Sequence, residues 1–184
     1  MTQQHLRKTK DRPDVIIFSF ELNEQIPGEE RIKNLSEYET LSKIPHWRGF
    51  LSNWAITPFC IEGLTWNTVE HYLQSVKSGF IDPKMSYEFS IESRSPFSEG
   101  NGLFAKKHSL KFMSAWQQEQ WINIKTFSLK NALFSKFFQN EIAKNVLLNT
   151  NSAQLWYNGH NLERQFYLEE IRELIRNDLQ LINF

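Results

Sequence analysis

From Asn67 onward the stretch TWNTVEHYLQSVKSGF places Val69, Leu73, Val76 and Phe80 four, three and four residues apart. That spacing returns to one face of a helix at about 100° per residue, whereas a strand would alternate every second position. The segment is therefore a helix with one side to bury, and the rest of the chain must provide its cover. On the same wheel Glu70, Gln74 and Lys77 fall within about 60° of one another, next to the apolar face. The polar stripe thus borders the core. Asn67 is placed to cap the helix, with Glu70 three residues on completing a capping box. Glu70 and Lys77 lie about 10.5 Å apart along the axis, too far for a simple ion pair but close enough for their side chains to converge on a sugar-sized ligand. Two readings of the stripe compete. In one, Glu70 caps and Lys77 extends its methylenes along apolar surface; in the other, a carboxylate and an amine nucleophile share a site.

The 184 residues suit one domain, and 40% apolar content with 15 Phe and 6 Trp supplies a core. Lys plus Arg and Asp plus Glu are each 21, so no global field recruits nucleic acid or an acidic membrane, and any nucleic-acid contact must be local. The lone Cys60 excludes an internal disulfide and a cysteine-only zinc site, and among apolar neighbours it reads as a small buried hydrophobe. No segment approaches the roughly 20 apolar residues of a membrane helix. The expectation is a cytoplasmic protein with no membrane association.

Residues 1–13 read as a flexible arm, and VIIFSFEL from Val15 to Leu22 as a strand. The charged stretch after it, with Pro27 and Gly28, reads as loop or a short solvated helix. Residues 50–66 fit strand, turn and strand, with the turn at Glu62 and Gly63 and Pro58 confined to an edge or a strand start. SRSPFSEGNG is loop by composition. Residues 109–138 read as helix, broken or bent before the apolar face of Trp121, Leu129, Leu133 and Phe137. A short helix follows from QNEIAKNVLLNT, and the last helix carries Leu168, Ile171, Leu174, Ile175 and Ile182 at helical spacing. No phosphate loop or hydrolase signature occurs, and His5, His46, His71, His108 and His160 are scattered, so neither a metal nor a cofactor is expected.

FLSNW, an apolar segment, EGLTWNTVEHYLQSVK and a Ser-Pro loop with Gly occur in that order, followed by LKNALFSKFFQNEIAKNVLLNT and YLEEIREL. This order resembles the NADAR family, also called YbiA-like, across roughly residues 15–176. The EHY-centred helix is its most specific part. The resemblance implies a single compact α+β domain over residues 14–184, predominantly helical with a small sheet, that cleaves N-glycosidic bonds. Activities in the family include removal of ADP-ribose from guanine bases and hydrolysis of phosphoribosylamino intermediates of riboflavin synthesis. By resemblance Lys77 is the nucleophile that forms a Schiff base with the opened ribose, and Glu70 is chosen as its proton shuttle. Gln74, Ser52 and Asn53 are candidate contacts to sugar or phosphate, and Arg94 with Ser95 to phosphate; Trp66 either stacks on a base or packs in the core. The implied partner is an ADP-ribosylated nucleobase or nucleotide, with nucleic-acid contact local; a module that binds such a nucleotide without turnover is the alternative. The chain departs from the family in having only LWYNGHNLERQFYLEE where many members carry a Trp-Gly-Asp-Gly-like segment, leaving Glu163 and Glu169 as candidates for the acid expected there.

Overall fold

The computed structural model describes residues 13–22, 32–109, 112–158 and 163–182. Strand β1 (Val15–Phe18) is followed by a 3-10 turn at Leu35–Tyr38 and the short helices α1 (Glu39–Ser42) and α2 (Trp47–Phe50). A hairpin of β2 (Phe59–Ile61) and β3 (Leu64–Trp66) leads into α3 (Val69–Gly79) and α4 (Pro83–Glu88). Then come 3-10 turns at Ile91–Ser93 and Pro96–Ser98, α5 (Gly102–His108), α6 (Ala115–Gln139), α7 (Glu141–Asn149), β4 (Gln154–Tyr157) and α8 (Glu163–Ile182). The fold is α+β and mostly helical, with the strands in two small pairs. Residues 1–12 of the expected arm lie outside the described residues.

β1 is shorter than VIIFSFEL suggests, because the Ser19 hydroxyl accepts the amides of Glu21 and Leu22 and turns the chain out of the strand. Its partner is β4, parallel, in register from Val15 with Gln154 to Phe18 with Tyr157. β4 is absent from the sequence-based expectations: its four residues are too few to show a period. The hairpin falls where the sequence places it. Phe59 pairs with Trp66, and Glu62 and Gly63 take φ of 54° and 80°, both left-handed as a two-residue hairpin turn demands. Pro58 stands just before β2, where no ladder donor is needed. Cys60 corrects an expectation. The pleat buries Phe59 and Ile61 and turns the thiol outward, so the cysteine is exposed.

The helix expected from residue 109 begins later: residues 109 and 112–114 are not helical, and Ser114 and Gln117 form a reciprocal capping box that starts α6. Leu133 and Phe137 of α6 are fully buried, while Trp121 and Leu129 pack partly buried at the margin. Val69 and Leu73 of α3 and Leu168, Ile171 and Ile175 of α8 join the same core, each such side chain contributing about 1.5–3 kcal/mol. Leu174, assigned to the α8 apolar face, is 46% exposed. Arg172 is buried on α8 and donates to Thr150 Oγ1 and the Ala153 carbonyl, which ties α8 to the turn before β4. Among the described residues no helix is long and apolar enough to cross a membrane.

Candidate active site

The first turn of α3 is built differently from the sequence expectation. Thr68, in extended backbone at φ −145° and ψ 161°, is the N-cap, its hydroxyl accepting the His71 amide at 3.2 Å. Asn67 instead turns its amide away to donate to the Ser98 carbonyl at 2.6 Å. His71 is buried and its tautomer follows from its partners. Its Nε2 faces the Glu99 carbonyl at 3.1 Å, which can only accept, so Nε2 carries the proton and Nδ1 accepts from Thr68 Oγ1 at 2.8 Å. Burial holds this imidazole below its usual pKa and keeps it neutral.

With the cap taken by Thr68, the Glu70 carboxylate is released from that duty. Its Oε1 accepts from Gln74 Nε2 at 2.6 Å. The carboxylate fixes the orientation of the Gln74 amide, which leaves Gln74 Oε1 buried and without a partner among the described residues. A buried acceptor of this kind is costly unless a ligand completes it.

Two cavities meet here. The larger, of about 600 Å³, is lined by Asn53, Glu70, Gln74, Lys77, Lys106 and Lys125, with Trp121, Leu129 and Tyr167 forming its apolar side. The smaller, of about 250 Å³, is lined by Ser52, Trp54, Phe18 and Tyr157 and shares Asn53, Glu70 and Lys106 with the larger. Together they form one cleft with Glu70 at the junction. Glu70 is the one acid among its described lining residues, and Lys77, Lys106 and Lys125 have no ion-pair partner among the described residues. The 52–54 turn is pinned against the helices: the Glu70 amide donates to the Asn53 carbonyl at 3.2 Å and the Gly102 amide to the Trp54 carbonyl at 3.1 Å.

A NADAR domain model matches residues 40–161. The chain belongs to the NADAR family. Among NADAR relatives, N-glycosidase YbiA of Shigella boydii serotype 4 is 30% identical over 138 residues, covering 68% of this chain and 80% of that protein. N-glycosidase YbiA of Escherichia coli K12 is 32% identical over 107 residues, 58% of this chain and 61% of its own. The NMR structure of E. coli YbiA superposes with a TM-score of 0.55 at 27% identity, over 72% of this chain and 81% of that one.

Of the candidate site residues in this NADAR chain, the fold brings Lys77, Glu70, Gln74, Asn53 and Ser52 to the cleft. The Ser52 hydroxyl accepts the Trp54 amide at 3.2 Å, so part of its role is to shape the turn. Trp66 lines neither cavity: it is 4% exposed, faces Phe59 across the hairpin and meets Tyr72 edge-on at 5.5 Å, which is the core-packing alternative. Arg94 and Ser95 also lie off the cleft. Arg94 is an exposed left-handed residue ending a 3-10 turn, and the Ser95 hydroxyl is spent on the Phe97 amide. Glu169 likewise serves the fold, its Oε1 accepting the Leu155 amide of β4 at 2.9 Å, and the side chain of Glu163 lies outside the described residues. Lys106 and Lys125 line the cleft as well, and sequence reasoning missed them. Lys125 did carry a signal, standing four residues after Trp121 and four before Leu129 as a charge within an apolar stripe. Lys106 carried none.

Proposed function

We propose that this chain is an N-glycosidase that hydrolyses the bond between ribose and a nitrogen base, with ADP-ribosylated guanine in nucleic acid or nucleotides as the leading substrate. The observation that carries the reading is that Lys77 and Glu70 line one cleft with Lys106 and Lys125, which have no ion-pair partner among the described residues, and with a buried Gln74 amide oxygen that has no hydrogen-bond partner among them. An amine and an acid supply the chemistry, the lysines suit phosphate oxygens, and the amide oxygen suits a sugar hydroxyl. The volume is in the range of small-ligand sites. Relatives named N-glycosidase support the reaction class. In a chain of zero net charge Lys77, Lys106 and Lys125 make the cleft a local basic surface suited to a nucleic-acid substrate, and the lone exposed thiol suits a reducing cytoplasm.

In the reaction the uncharged Lys77 amine attacks C1′ as the bond to the base nitrogen breaks, and Glu70 passes the amine's proton to the leaving base. The ring oxygen then departs from C1′ and is protonated, opening the ribose and leaving a C=N bond to Lys77. Water adds to that carbon, the amine leaves, and the released aldehyde recloses to the free sugar. Borohydride added during turnover should trap a stable adduct on Lys77, seen by mass spectrometry of the peptide. Lys77→Ala should abolish both adduct and turnover with an unchanged melting temperature; full activity in that variant refutes the amine mechanism. The same assay run on phosphoribosylamino riboflavin-pathway intermediates distinguishes the alternative substrate.

A binding-only module is the second reading, favoured by Glu169 being committed to the Leu155 amide and so not serving as a second acid in the cleft. Calorimetric binding of ADP-ribose with no product over hours is the result that would select it.

A further inference from the structure

Lys136, on α6, is completely buried, and its Nζ donates to the Ser52 carbonyl at 2.7 Å. No carboxylate pairs with it among the described residues; its other neighbour of note is the Phe137 ring, 5.0 Å away. Burial lowers its pKa to about 7, and desolvation is the cause. A methionine would fill similar space without the cost of desolvating an amine, so packing does not explain a lysine here.

What the amine holds gives the explanation. Three successive carbonyls of the cleft wall are each taken by a donor from a different helix: Ser52 by Lys136 Nζ of α6, Asn53 by the Glu70 amide of α3, and Trp54 by the Gly102 amide of α5. Two of these donors are backbone groups that any sequence supplies. The third depends on one side chain, 84 residues away in sequence. The same turn presents Ser52, Asn53 and Trp54 to the cleft and abuts the acid at its junction.

We propose that Lys136 is the positioning residue of this site: it locks the 52–54 turn, and through it sets Asn53 and Glu70 for the ligand. It does not touch the reacting atoms. An amine keeps N–H donors whether or not it is protonated, so the lock persists on both sides of neutrality.

The test compares wild type, Lys136→Met, which removes the donor at similar volume, and Lys136→Gln, which restores a shorter one. Residue-resolved amide exchange should show Glu70 and Gly102 exchanging at least about tenfold faster in Lys136→Met, with Val146 and Leu147 of α7 unchanged, and a partial return in Lys136→Gln. The melting temperature should hold or rise. The activity arm rests on the N-glycosidase reading, and there kcat should fall roughly tenfold to a hundredfold, with KM moving less. Wild-type exchange rates at Glu70 and Gly102 in folded Lys136→Met would overturn the proposal, as would collapse of both variants, which would make Lys136 a structural residue only. Absence of turnover in the wild type refutes the reaction and leaves the exchange arm to decide the positioning role.

Discussion

Gly102 has no room for a side chain. A Cβ there would stand 2.7 Å from the Trp54 Cα and 2.8 Å from the Glu70 Cβ, so the start of α5 packs directly on the acid of the cleft. Gly102→Ala should therefore cost about 1–3 kcal/mol in urea denaturation and reduce turnover, because whatever yields moves Trp54 or Glu70. Lys136 sets a second expectation, in the pH dependence of stability. Its folded pKa of about 7 lies below the roughly 10.4 of an unfolded lysine. Between those values the unfolded chain binds the proton that the native state has released, so this residue makes stability rise with pH from about 7 upward; below 7 its burial penalty is felt in full. The difference in melting temperature between wild type and Lys136→Met should shift in favour of the wild type from pH 7 to pH 9. A constant difference across that window would show that Lys136 does not titrate there.

At the scale of elements, α3 shows how far a sequence pattern reaches. Its period and its polar stripe were legible, because both depend on the fixed 100° turn per residue. Its cap was misplaced by one residue, since Asn67 and Thr68 are both good caps and the choice was made by Ser98, a partner from a distant turn. Thr68→Ala should destabilise by about 1 kcal/mol or more, as it removes the cap and the Nδ1 partner of His71 together. Asn67→Ala should leave the helix capped and cost less; the reverse order in chemical denaturation would return the cap to Asn67. The β1–β4 pair shows the opposite limit. β1 announces itself by four β-branched or aromatic residues in a row, whereas β4 exists because β1 offers it an edge and Glu169 accepts its Leu155 amide.

Over the whole molecule the charges sum to zero, yet Lys77, Lys106 and Lys125 from three helices face one cavity. If they hold phosphate, Lys106→Gln with Lys125→Gln should raise KM for a diphosphate-bearing substrate about tenfold at low salt with kcat little changed, and the difference should shrink as salt screens the site. Equal KM values for variant and wild type would remove these lysines from substrate binding. By itself the sequence determined α3, α7, α8 and most of α6, the hairpin with its turn, the family and the Glu70–Gln74–Lys77 face, because each is written in contacts only a few residues apart or in an ordered motif; α2, α4 and α5 were not legible in it, being too short to show a period. Only the tertiary structure decided that Trp66, Arg94 and Ser95 lie off the cleft, that Lys106 and Lys125 lie on it, and that Lys136 is buried against Ser52. Those outcomes depend on which surfaces of separate helices meet, and a local period carries no record of its distant neighbour.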